Sequence, residues 1–136
     1  MGSVAKRKIK DIKMEHLGKR KWIIAEGYIP GKSTGPGRAF ESHETACILN
    51  TGGEPANIEV TIYFTDREPS QPYRFVVKAE RTFHLRFNDL TEPESIPHDT
   101  DYSALILSDV PVVVQHTRLD SRQSENALMT TIPYCE

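Results

Sequence analysis

The sequence predicts an all-β protein, a two-sheet antiparallel β-sandwich, and three observations predict it. Residues 57–65 alternate strictly, with Ile58, Val60, Ile62 and Phe64 on one side and Glu59, Thr61 and Tyr63 on the other. A period of two is that of a strand with one face buried. Strand-like segments rich in β-branched and aromatic residues recur about every ten residues, the spacing of a sandwich rather than of alternating β and α units. Turn residues stand between them: Pro30-Gly31, Gly35-Pro36-Gly37, Gly52-Gly53, Pro69 to Pro72, Asn88-Asp89 and Pro97.

The elements follow in order. Residues 1–21 form a basic N-terminal arm and residues 22–136 a single sandwich domain, since 136 residues build one sizeable core and not two. Within the arm, Lys8 to Leu17 has the composition for a helical turn or two. Trp22 to Ile29 and Ala39 to Leu49 read as strands. The Gly- and Pro-rich stretch Ile29 to Arg38 between them reads as a flexible loop. Tyr73 to Lys78 turns Tyr73, Phe75 and Val77 one way. Thr82 to Phe87 does the same with Phe83, Leu85 and Phe87, leaving His84 and Arg86 opposite. Tyr102 to Leu107 and Val112 to Leu119 are two further strands. Arg122 to Met129 is either a short helix capped by Ser121 or a turn into a last strand, Ala127 to Ile132. The expected core is Ile58, Val60, Ile62, Phe64, Phe75, Val77, Phe83, Leu85 and Phe87.

Composition narrows the function classes. No apolar run approaches the roughly 20 residues that span a bilayer as a helix. The N-terminus is basic with no apolar block behind it, and Lys6 does not fit a myristoylation pattern. Cys47 and Cys135 are isolated thiols, which suits a reducing compartment. These features together predict a cytoplasmic protein. The net charge of −2 hides an asymmetry: the arm carries eight Lys or Arg against two acids, the remainder nine against seventeen. Such an arm suits nucleic acid or anionic lipid, and equally a solvated leader docked on its own acidic body.

Three segments carry more polar residues than a sandwich needs: Ser42-His43-Glu44-Thr45, Pro97-His98-Asp99-Thr100-Asp101, and Gln115 to Gln123. His116 and Arg118 share strand parity with Val112 and Val114, so that strand runs from core into a pocket or interface. The residues His43, Glu44, His98, Asp99, His116 and Arg118 are therefore expected to converge near one end of the sandwich as a ligand- or partner-binding site. Arg118 would supply a fork for a carboxylate, from Asp99 or from a ligand. The same residues also read as pins for loops or locks between subunits.

Other chemistries find less support. The histidines are acceptable metal ligands, but there is no His-x-His, no His-Glu-x-x-His and no cysteine pair, so no metal and no cofactor is assigned. Catalysis needs a nucleophile, a base and an orienting acid within reach. Cys47 sits among Ala46, Ile48 and Leu49, as a buried inert thiol would, and no enzyme activity is expected. Gly31, Gly35 and Gly37 lack the Gly-Lys-Ser/Thr ending of a phosphate loop. DNA binding remains an alternative, through the arm and through Arg74, Lys78, Arg81 and Arg86, with Tyr63 able to stack.

Five motifs in order then carry a resemblance: Trp22 to Pro30 (WIIAEGYIP), Ser42 to Thr45 (SHET), Arg86 to Leu90 (RFNDL), Pro97 to Asp101 (PHDTD) and Val114 to Arg122 (VQHTRLDSR). Over about Trp22 to Tyr134 the chain resembles the sensory rhodopsin transducer family. The arm departs from the family pattern. The resemblance implies a β-sandwich, a homotetramer with fourfold cyclic symmetry, and a cytoplasmic signalling module acting downstream of a membrane photoreceptor. It also points to a small-ligand role, suggested to be for a sugar, and to DNA binding as a further suggested activity of the family.

Overall fold

Strict alternation in 57–65 becomes an interior strand of one sheet, paired on both sides. The computed structural model describes residues 8–14 and 17–136, so the expectations for Glu15, His16 and the first seven residues of the arm lie outside it. Among the described residues there are eight strands: β1 (Lys19–Tyr28), β2 (His43–Asn50), β3 (Ala56–Phe64), β4 (Tyr73–Val77), β5 (Arg81–Arg86), β6 (Asp101–Asp120), β7 (Ala127–Thr131) and β8 (Tyr134–Cys135). All pairings are antiparallel. The first sheet runs β4-β3-β6-β1-β8. The second runs β5-β2-β6-β7. The all-β sandwich expected from the sequence is the fold observed.

β6 belongs to both sheets. Residues 102–108 pair with β3 and residues 113–119 with β2. The two strands expected at Tyr102–Leu107 and Val112–Leu119 are thus one element. Ser108-Asp109-Val110-Pro111 resembles a turn in composition, yet it passes the chain from one layer to the other without breaking it. Asp109 fixes this crossing by accepting from the Asn57 backbone N–H at 2.8 Å and the Asn57 amide at 2.6 Å. Trp22 fixes it from the other side, its indole N–H shared between the carbonyls of Lys19 (3.0 Å) and Val112 (3.1 Å).

The inner faces supply the core, including Ile24, Ile48, Ile58, Val60, Ile62, Ile106, Val112 and Val114. Of the expected core, Ile58, Val60, Ile62, Val77, Leu85 and Phe87 are buried. Phe64 and Phe75 are half-buried. Phe83 is a correction, at 39 % exposed. It has inward parity opposite Ile48, but β5 is an edge strand, so its ring closes the sandwich rim against Phe75 with centroids 5.1 Å apart.

Other boundaries also moved. The strand expected from Ala39 begins at His43, because Arg38–Phe40 forms a 3-10 turn. Ala127–Thr131 takes the strand alternative. The strand expected at Trp22 begins at Lys19, so Lys19, Arg20 and Lys21 are strand residues. The loop expected to be flexible is tied down: Thr34 N–H donates to the Ser121 carbonyl at 2.8 Å, and buried Ser42 Oγ donates to the Lys32 carbonyl at 2.8 Å. Among the described residues no helix is long and apolar enough to cross a membrane.

Candidate functional site

Glu44 is the one carboxylate among the described residues with no exposed surface. Alternation along β2 puts it on the same inner face as Ala46 and Ile48. Its cross-strand neighbour is Arg118, and that of Ala46 is His116. Burying such a charge is costly unless it is paired and hydrogen-bonded. Both oxygens are engaged: Oε1 accepts from Arg118 Nε and from the Tyr28 backbone N–H at 3.1 Å, and Oε2 is bound to His116 Nε2. Tyr28 is in the first sheet, and His116 and Arg118 are in the second. One carboxylate therefore ties the two layers together at the end of β1.

Arg118 carries this interior cluster to the surface. Its Nη2 donates to Glu26 Oε1 at 3.2 Å, and the Glu26 side chain is 70 % exposed. Burial works against the Arg118 charge, but its contacts with Glu44 and Glu26 outweigh burial and hold its pKa above the ordinary value. Tyr102 packs inward from the start of β6. Its hydroxyl is buried with no hydrogen-bond partner among the described residues. Burial first, and then the charge of Glu44, pushes this phenol well above its ordinary range.

The six residues expected to converge divide into groups. Glu44, His116 and Arg118 are in direct contact. Asp99 joins through Tyr28, whose hydroxyl donates to Asp99 Oδ1 at 3.2 Å; the Gly31 N–H donates to the same oxygen at 3.0 Å. The fork of Arg118 is thus occupied by Glu44 and Glu26, not by Asp99. His98 is exposed beside Asp99, its carbonyl accepting from Thr100 Oγ1 at 3.0 Å. His43 takes the opposite face of β2 from Glu44, with Nδ1 2.7 Å from the Glu41 carbonyl.

Glu26, Tyr28 and Tyr102 were missed as site residues. The signal for Tyr102 was its parity with Ala104 and Ile106, which places its ring indoors. Tyr28 contributes a backbone N–H to Glu44, which leaves no trace in the residue type.

The alternative basic surface is not uniform. Arg74 pairs loosely with Glu59 at 3.7 Å. Arg86, expected to face outward, is instead tucked in, donating to the Arg38 carbonyl at 3.1 Å and facing Glu41 at 3.5 Å. Burial pushes the Cys47 thiol up, away from the reactive range. Among the described residues no group of three or more His, Cys, Asp or Glu is placed to hold a metal ion.

The chain as a whole is similar to known proteins. A family model described as the Anabaena sensory rhodopsin transducer matches residues 17–135. The crystal structure of Thermotoga maritima 1070 superposes with a TM-score of 0.78 at 40 % identity, covering 88 % of this chain and 96 % of that one. The Anabaena sensory rhodopsin transducer is 60 % identical, with a TM-score of 0.70, over 80 % of this chain and 95 % of that one. No curated protein sequence matches the chain.

Proposed function

The chain belongs to the Anabaena sensory rhodopsin transducer family, and from that premise we propose that it is a cytoplasmic signalling module that receives a membrane photoreceptor at the Glu26–Arg118 end of the sandwich. The observation that carries this reading is the chain of contacts from exposed Glu26 through Arg118 to buried Glu44, which bridges both sheets. A partner that engages Glu26 or Arg118 from outside competes for hydrogen bonds on which the interlayer bridge depends. Binding at the surface is thereby coupled to the packing of the two sheets.

The reading is of a binding module and not of an enzyme. Glu44 has both oxygens committed to protein donors, as a structural carboxylate does. The groups left facing solvent at this end, Glu26, His98 and Asp99, are polar residues on strand ends and loops, where rigid sheets present recognition groups. The same groups suit a small hydroxyl-rich ligand, which would accept and donate hydrogen bonds there. A homotetramer with cyclic symmetry fits the family and would repeat this end in a ring.

Native mass spectrometry of the purified protein tests assembly and ligand together. The expected result is a species of four chains of 15.4 kDa each, with any retained small molecule released on activation. A 15.4 kDa species alone removes the tetramer.

A further inference from the structure

We propose that the segment from Lys8 to Met14 is an interfacial anchor for a bilayer surface rich in acidic phospholipid. This goes beyond the transducer reading and does not depend on it, because the family match begins only at residue 17.

Large aliphatic side chains stand in water here: Ile9 is 87 % exposed, Met14 67 % and Ile12 60 %. They alternate with Lys8, Lys10 and Lys13, all exposed. Ile9–Asp11 forms a 3-10 turn, in which residues three apart come over one another. Ile9 and Ile12 have that spacing and are joined by the Ile12 N–H donating to the Ile9 carbonyl at 3.0 Å; beyond it the chain is extended and carries Lys13 and Met14 onward. Asp11, the acid of this turn, accepts from the Lys8 backbone N–H at 3.3 Å and is turned toward the chain.

Exposed aliphatic groups beside ammonium groups match a headgroup layer. The isoleucines and methionine enter the acyl boundary while the lysines meet phosphate. Nucleic acid is the weaker match: residues 1–21 contain no Trp, Tyr or Phe to stack on bases, and Lys outnumbers Arg.

The position in the fold is compatible. The segment leads into Lys19 at the start of β1, opposite Val112, whereas Glu44 binds Tyr28 at the far end of that strand. Ten strand residues separate the two ends by about 30 Å. That is several Debye lengths at physiological salt, about 8 Å each, so acidic groups near Glu26 do not oppose the anchor. With β1 lying along the bilayer surface, the anchor and the recognition end both stay at the membrane.

Co-sedimentation of the full chain with lipid vesicles tests the proposal. The vesicles are phosphatidylcholine alone or with about 30 mol % phosphatidylserine, as on a cytoplasmic leaflet. The protein should bind the mixed vesicles and not the neutral ones, and release as salt rises. The triple variant Lys8→Gln, Lys10→Gln, Lys13→Gln should bind about a hundredfold more weakly. The double variant Ile9→Ser, Ile12→Ser should lose about tenfold or more. Both should melt as the wild type does, because these side chains are exposed. Absence of binding to the mixed vesicles overturns the proposal. So does full binding by the isoleucine variant, or tighter binding of the wild type to duplex DNA than to the vesicles.

Discussion

Gly27 lies against the face of Tyr102: a Cβ at position 27 would stand 2.5 Å from Tyr102 Cζ and 2.5 Å from Cε2. Atoms do not approach so closely, and the ring is itself buried, with Phe87 on another side at 5.6 Å between centroids. Gly27→Ala therefore has to displace the ring or β1. Overpacking of this kind costs about 1–3 kcal/mol. Denaturant titration should show that loss, and a variant as stable as the wild type would mean the ring has room to move.

Tyr102 makes a separate prediction through its proton. Burial and then the Glu44 charge raise its folded pKa well above 10.0. The unfolded phenol ionises near its ordinary value of about 10. The fold therefore holds the proton more tightly than the open chain. The associated stability is fully present below about pH 10 and is lost as pH rises toward the folded value. Tyr102→Phe removes the titration and also an unpartnered buried hydroxyl, worth about 1–3 kcal/mol. The variant should match or exceed the wild type at neutral pH, and its advantage should grow above about pH 10. An advantage that shrinks with alkalinity contradicts this environment.

Glu44→Gln tests the interlayer bridge. The amide has the right shape but no charge, and its NH2 group cannot accept from Arg118 or His116. Breaking a buried charge pair in this way costs about 3–5 kcal/mol. Urea midpoints with unchanged slope would measure it. A loss under about 1 kcal/mol would show that the bridge is incidental to the fold.

Packing gives a ranking. Ile62 is wholly buried, whereas Phe64 is half-buried with the Arg67 guanidinium 3.8 Å above its ring. Ile62→Ala should cost about 2–5 kcal/mol, and Phe64→Ala less than the roughly 3–5 kcal/mol of a buried ring. The reverse order in thermal or chemical denaturation would place the core elsewhere.

That ranking marks how far alternation could be read. Parity identified the inner face of β3 and put His116 and Arg118 on the face of Val112 and Val114, where they meet Glu44. It could not say how deep an inward residue lies, which depends on whether its strand is central or at an edge; hence Phe83 reads as core and sits at the rim. The β6 crossing was illegible because Asp109 and Pro111 have turn chemistry, and only the Asn57 contacts show the chain continuing. β8, two residues long, has no period to detect. Within the site, side chains that bond side chains were visible as polar clusters, but the Tyr28 backbone N–H has no sequence signature.

The central claim is that the end of the sandwich bearing Glu26, His98, Asp99 and Arg118 is the recognition face. Calorimetric titration of the protein against the solubilised Anabaena sensory rhodopsin tests it most directly, comparing the wild type with the double variant Glu26→Gln, His98→Ala. A glutamine at position 26 keeps a carbonyl oxygen for Arg118 and His98 is exposed, so the substitutions should cost no more than about 1 kcal/mol of stability and leave the assembly mass unchanged. The account predicts that the wild type binds and that the variant binds at least about tenfold more weakly, the loss of roughly 1.4 kcal/mol expected of an interface contact. Undiminished binding by a folded variant of unchanged mass would contradict it.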